Sequence, residues 1–418
     1  MADQPHGDSD DEDEVKERQH FACILRAIDN YEPWALAKVA KLEADYRRLS
    51  KQHHMMLDLD AKIDGMRQCI RANTQLLQRI IAPHRDHIGA PEEAQLDRWA
   101  AHKLPLPPML ISRADGTGTS SSRSGRARTY VPESDMDKLQ STLKQFVREW
   151  GAGGHLERDA AHTPLLKALG AALPRGAEDG ARVLVPGAGL GRLAWEVARL
   201  GYRAQASEFS YFMLIAANYV LNGLQQDVAN GRKEQFHVHP WVLQTCNVKK
   251  RSDQLRGEPV PDVPPWSLPP TAQLSMCAGD FLAVYGEQSS CWECVLTCFF
   301  IDTAHNLTEY IGLIRNLLVP GGAWVNLGPL LWHFSDIAND YSVDLTWDEV
   351  RPLILDAGFV IEHEEWHTCP YVRNTASMYR MEYECVCFTA RWPGFGRGPK
   401  DGGRNDIAAG QLPQPELR

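Results

Sequence analysis

Between residues 15 and about 105, apolar positions recur at spacings of three and four: Leu36, Val39, Leu42, Tyr46 and Leu49, then Leu59, Ile63, Met66, Ile70, Leu77 and Ile80. That period predicts an antiparallel helical hairpin with one apolar stripe. The stripe reads as core, with a partner or dimer surface as the alternative. A further helix, opening near Ser134, buries Leu139, Leu143, Phe146, Val147 and Trp150 and turns Gln145 and Arg148 to its other face. Beyond it the pattern changes to short apolar runs closed by glycine, proline or an acid. Val183–Val185, a run ending at Glu208, a run from Leu274 ending at Asp280, Trp292–Ile301 ending at Asp302, Ala323–Leu327, Gly358–Trp366 and Tyr383–Trp392 make seven strands. The unbroken ones suit a parallel sheet covered on both faces, and the last two an antiparallel closing pair.

The fold class is therefore α/β, with a mostly parallel sheet of the Rossmann-like kind and a helical extension before it. The expected organisation is an acidic disordered tail over 1–14, the helical region 15–105, a Pro/Gly/Ser-rich linker 106–133, the α/β domain 134–395 and a disordered tail 396–418. Residues 230–273, proline-rich and holding His237, His239 and Trp241, form an insertion expected beside the mouth of the site.

The chemistry begins at Pro186-Gly187-Ala188-Gly189-Leu190-Gly191-Arg192, which follows the first strand and opens a helix. Glycines there let main-chain N–H groups approach a ligand closely, beside the positive end of the helix. Glu208, ending the second strand, is placed to meet ribose hydroxyls. A dinucleotide fingerprint needs a third glycine at position 192, where Arg192 stands. The spacing is instead G-x-G-x-G, the loop of class I S-adenosyl-L-methionine-dependent methyltransferases. Asp280 and Phe281 then suit the adenine amino group and face, and Gln145 with Arg148 suits a carboxylate or is merely an exposed polar face.

Composition narrows the partners. With 44% hydrophobic and 23% charged residues the chain carries enough apolar side chains for a packed core. A net charge of −10 argues against a general nucleic-acid binder and favours a small cationic or zwitterionic substrate. No apolar run approaches the roughly 18 residues of a membrane span. Ten cysteines without regular spacing point to reduced thiols and to the cytosol or nucleus. Cys291, Cys294 and Cys298, like Cys385 and Cys387, read as strand residues, so no metal is expected.

The strings Leu139–Arg148, Val185–Trp195, Phe299–Asn306 (FFIDTAHN) and Asn326–Leu331 (NLGPLL) closely resemble the carnosine N-methyltransferase family, over about residues 15–392. The resemblance implies methyl transfer from S-adenosyl-L-methionine to an imidazole nitrogen of carnosine, giving anserine. It implies a donor pocket of Gln145, Arg148, Gly187, Glu208, Asp280, Phe281 and Cys298, a dipeptide site of Asp302, His333 and Tyr383, and a homodimer through the helical region. Two positions depart from the family: Phe209 stands where tryptophan is common, and Tyr379-Arg380-Met381-Glu382-Tyr383 replaces a tyrosine-rich run. Asp302 suits the chemistry, since a carboxylate that accepts one ring N–H fixes the tautomer and stabilises the charge developing on the ring. A methyltransferase acting on a protein or RNA, and a silent binding module, are the competing readings.

Overall fold

A computed structural model describes residues 8–87, 131–371 and 374–394. The seven expected strands form, some with shifted ends, and the insertion adds two that were not anticipated: β1 (Arg182–Pro186), β2 (Arg203–Glu208), the short insertion strands β3 (Phe236–Val238) and β4 (Glu258–Val260), β5 (Gln273–Ala278), which stops two residues before Asp280, β6 (Trp292–Cys298), β7 (Leu318–Gly328), β8 (Val360–Pro370) and β9 (Glu382–Arg391). Seven of them form one sheet in the order β5-β2-β1-β6-β7-β9-β8, while β3 and β4 pair separately. Only β9 runs against its neighbours, pairing antiparallel with β7 and β8. The sheet is thus the mostly parallel one expected, with β1 and β6 central and buried because helices cover both faces.

The N-terminal helical region contains, among the described residues, the α-helices α1 (Asp8–Asp29), α2 (Tyr31–Tyr46), α3 (Lys51–Met56) and α4 (Leu59–Ile81). The first starts inside the acidic run expected to be a tail, so Asp8–Glu14 is helical. The hairpin's stripe is consumed within the chain: Val39, Ile63, Met66, Ile70, Leu77 and Ile80 share one core with Phe146, Trp150, Trp195 and Phe212. The stripe runs out at the hairpin's far end, where Leu49, Met55, Met56 and Leu57 are exposed. Of the expected linker, residues 106–130 lie outside the described residues, as does the expected tail 396–418.

Helix α5 (Glu133–Gln145) begins after Pro132, one residue ahead of the expected start at Ser134. It continues as a π-helical turn, Phe146–Trp150, and α6 (His155–Ala172) follows. Helix α7 (Arg192–Arg199) descends from the glycine loop.

The insertion 230–273 is stapled to the helical layer. Asn73 of α4 is fully buried; its amide donates to Tyr31 Oη and His239 O, both at 2.9 Å, and its oxygen accepts His239 N–H at 2.8 Å. Asp262 in turn accepts from Arg192 Nη1 at 2.7 Å and pairs with Arg158, tying the insertion to α6 and α7. Replacing Asn73 by leucine orphans the partly buried His239 N–H. Urea denaturation of Asn73→Leu should report a loss of about 1–3 kcal/mol.

Candidate active site

At the carboxyl ends of β1, β2, β5 and β6 lies a cavity of about 730 Å³. A crevice is normal there in an open α/β sheet, because the loops leaving adjacent strands diverge. The glycine loop forms its floor. Gly187, Gly189 and Gly191 all have positive φ, and a Cβ at Gly189 would stand 2.3 Å from Glu149 Oε1. Only glycine fits that conformation and that contact.

Two carboxylates hold this loop. Glu208 accepts the Gly189 N–H at 2.8 Å on one oxygen and those of Phe209 and Ser210 at 3.0 and 2.8 Å on the other. Burial raises its carboxyl above the ordinary range against the pull of those donors. Glu149, which the sequence reading passed over, is almost fully buried on the π-helical turn. Its carboxylate accepts the Leu190 N–H at 2.9 Å, the Arg192 N–H at 3.1 Å and Gln145 Nε2 at 2.6 Å. The signal available was an acid four residues after Gln145 and beside the buried Trp150. The wider π turn carries it under the glycine loop.

Of the residues expected to meet the donor, Gln145, Arg148, Gly187, Glu208, Asp280, Phe281 and Cys298 all line this one cavity. Arg148 is largely buried, pairs with Glu157 at 2.9 Å and lies over the rings of Phe299 and Tyr371. Burial opposes its charge, but Glu157, Tyr371, Cys298 and Glu149 outweigh that and hold the guanidinium above its usual value. Asp280 caps the helix Phe281–Tyr285, accepting the Leu282 and Ala283 N–H groups at 3.0 Å each. Phe281 is packed edge-on against Phe300 and Tyr310. Burial pushes the Cys298 thiol up to about 12, so it enters the wall as a neutral, small group. His162, not anticipated, also faces the cavity, and burial, then the neighbouring arginines, depresses its imidazole to about 3. It is a neutral ring beside Arg148.

The second half of the site departs in detail from expectation. Strand β6 stops at Cys298, not at Asp302, because Phe299 takes φ +52 and Ile301–Thr303 form a 3-10 turn. Asp302 therefore stands one turn beyond the strand. It is 2% exposed; Oδ2 accepts the Leu331 N–H at 2.9 Å and its main-chain oxygen accepts the His333 N–H at 3.1 Å. Its Oδ1 is buried with no hydrogen-bond partner among the described residues. Burial raises this carboxyl, against the opposing effects of the Leu331 N–H and His333.

His333 lines the cavity, whereas Asp302 and Tyr383 are not among its lining residues. Tyr383 packs against Phe299 and Tyr371, and its hydroxyl reaches Met381 Sδ at 3.4 Å. Burial raises the phenol, followed by Tyr371, Tyr379 and Asp302, so these groups share one neighbourhood. His305, also unanticipated, stacks on Phe334 at 3.6 Å between ring centres and donates through Nδ1 to Tyr341 O at 2.9 Å. None of residues 230–273 lines the cavity itself; the insertion packs on α4, α6 and α7 and bridges at Val248 and Asn247 to Ser377 and Met378, in the loop between Tyr371 of the cavity wall and Tyr383.

A donor with a nucleoside and a zwitterionic tail fits these groups. Glu208 offers acceptor oxygens, Arg148 a cation, the loop its N–H groups, and Asp280 with Phe281 a polar and an apolar wall. The described residues contain no helix long and apolar enough to cross a membrane.

Comparison with known proteins agrees with this geometry. Residues 126–394 match the family model described as carnosine N-methyltransferase. A carnosine N-methyltransferase of Rattus norvegicus is 39% identical over 391 residues, covering 93% of this chain and 89% of the relative. One from Drosophila melanogaster is 34% identical over 397 residues, 91% of this chain and 81% of the relative. Another, from Schizosaccharomyces pombe, is 40% identical over 263 residues, 59% of this chain and 69% of the relative. With its seven-stranded sheet, its glycine loop and a match across most of its length, the chain belongs to the carnosine N-methyltransferase family.

Proposed function

We propose that this chain methylates an imidazole nitrogen of carnosine, β-alanyl-histidine, with S-adenosyl-L-methionine as donor, to give anserine and S-adenosylhomocysteine. The observation that carries this reading is the buried Oδ1 of Asp302, an acceptor without a partner among the described residues and near His333, which lines the cavity. An orphaned buried oxygen is costly, and a ligand N–H removes that cost.

When bound, the donor supplies an already activated sulfonium methyl, so the chain's task is positioning more than proton abstraction. Free imidazole has a pKa of about 6.5 and is mostly neutral at pH 7. Asp302 accepts the ring N–H, which leaves the other nitrogen with its lone pair toward the methyl carbon. As the N–C bond forms and the S–C bond breaks, positive charge passes to the ring, and Asp302 stabilises it at short range. Solvent then takes the ring proton. His333 and Tyr383 hold the dipeptide's polar ends. Gln145 and Arg148 hold the donor's carboxylate, Glu208 its ribose and Asp280 with Phe281 its adenine, while Gly187 and Cys298 allow close approach. No metal enters these steps.

Tritiated methyl transfer to carnosine, run beside histidine-containing peptides and RNA, tests the reading. Incorporation into carnosine alone is expected. Incorporation only into a peptide or RNA would give the site to a macromolecule, and none at all, with donor bound, would leave a silent binding module. Glu208→Ala should weaken donor binding about tenfold or more by calorimetry, since a charged hydrogen bond contributes about 1.5–3 kcal/mol. The same reading carries residence in the cytosol or nucleus. We also infer self-association through the helical region, whose far end leaves Leu49, Met55, Met56 and Leu57 exposed. Light scattering of the full chain distinguishes dimer from monomer.

A further inference from the structure

Strand β8, at the edge of the sheet, carries His363, Glu365 and His367 at alternate positions, so all three share one face. Glu365 stands in register with Cys387 of the adjoining β9. A residue, the one two places along, and the cross-strand partner are close enough for long side chains to converge on one point. Here they do. The carboxylate of Glu365, the imidazole of His367 and the thiol of Cys387 offer ligand atoms that all lie within 4.8 Å of one another. His367 Nε2 is 2.9 Å from one oxygen of Glu365, and His363 Nε2 is 3.4 Å from the other. None of the four lines the cavity described above.

Oxygen, nitrogen and sulfur converging in this way make a donor set for a borderline-soft divalent ion, with bond lengths of about 2.0–2.3 Å. Access is one-sided: Cys387 is 1% exposed, while the Glu365 and His367 side chains are 46% and 30% exposed. An ion arriving from solvent meets the carboxylate and imidazole first and the sulfur beneath them. We propose that Glu365, His367 and Cys387 bind a divalent transition-metal ion, zinc by preference, with water or His363 in the fourth position. The charges balance, because Glu365 is ionised, His367 enters neutral and Cys387 loses its thiol proton to solvent as the metal–sulfur bond forms. Without the ion, burial and then Glu365 push that thiol up to about 12. The ion clips the edge strand to β9, the strand that also bears Tyr383. Periodicity within one strand does not reveal this set, since it depends on the register between two.

Cobalt(II) titration of the untagged full chain, freed of metal by a chelator, tests the site. A thiolate-to-cobalt charge-transfer band should grow in the near ultraviolet, saturate at one equivalent and vanish when zinc is added. Cys387→Ser should abolish the band. Cys387 lies in the core, so His367→Ala, at a half-exposed position, provides a variant that retains the fold; its cobalt affinity should fall about tenfold or more. Absence of the band in the unaltered chain, or equal affinity in His367→Ala, would overturn the assignment. Neither outcome bears on methyl transfer, which is measured separately.

Discussion

Asp302→Asn is expected to bind S-adenosyl-L-methionine as the unaltered chain does and to lose about 10²–10⁴-fold in kcat with saturating carnosine. The asymmetry of the two carboxylate oxygens makes the substitution severe. Oδ2 is committed to the Leu331 N–H at 2.9 Å, and Oδ1 has no partner among the described residues. In the amide, the single remaining oxygen stays with Leu331, because an orphaned main-chain donor costs about 1–3 kcal/mol. The NH₂ group then occupies the position meant to accept. It faces the ring as a donor, selects the tautomer whose reactive nitrogen carries the proton, and supplies no charge against the forming imidazolium. Binding of the donor is expected to be untouched, since Gly187, Glu208, Asp280 and Arg148 line the cavity and Asp302 is not among its lining residues.

A loss of fold would mimic lost turnover, and linkage separates the two. Burial raises the carboxyl of Asp302 in the folded chain above its unfolded value. Between those two values the folded state binds more protons, so stability falls as pH rises through the window, and the ionised form remains a cost at pH 7. The neutral amide keeps the Leu331 bond and removes that cost. Asp302→Asn should therefore melt at the same temperature as the unaltered chain or higher at pH 7, and the gap should close as pH falls below the window. Lost turnover accompanied by a lower melting temperature would refute the role assigned to Asp302; so would unchanged turnover.

The central strands were readable because they are apolar runs buried on both faces, Val183–Val185 closed by Pro186 and the run that starts at Trp292. The donor side was readable because a glycine loop between a strand and a helix fixes where Gly187 and Glu208 must lie. Two features were not. Nothing about a phenylalanine announces the positive φ of Phe299, so the end of β6 was placed four residues late, at Asp302. An ideal helical period also gives no notice of the π turn at Phe146–Trp150, which is set by tertiary packing. His333 and Tyr383 come from distant stretches, and only resemblance to a family drew them together. The insertion was legible as an insertion, but its partners were not, because proline content says where a helix cannot be and nothing about what Asp262 will pair with.

Glu149 is where that missed turn matters most. Glu149→Ala should lower stability by roughly 2–6 kcal/mol, from two orphaned main-chain donors, Leu190 and Arg192, at about 1–3 kcal/mol each. Water does not readily replace the carboxylate, since both N–H groups are buried beneath Trp150 and the glycine loop. The same loss should reach the donor site. A loop with three positive-φ glycines has little stiffness of its own, and Glu149 clamps its far end while Glu208 holds Gly189. Once freed, the loop samples conformations in which its N–H groups no longer converge, and donor affinity should fall tenfold or more by calorimetry. Gln145→Ala provides the contrast, because it removes one donor to Glu149 and leaves both main-chain bonds intact. Its urea midpoint should stay near that of the unaltered chain. If the two variants lose stability equally, the anchor is the Gln145 pair and not the loop. Should Glu149→Ala lose stability while donor affinity is unchanged, the glycine loop is held by Glu208 alone, and the π turn serves packing rather than the site.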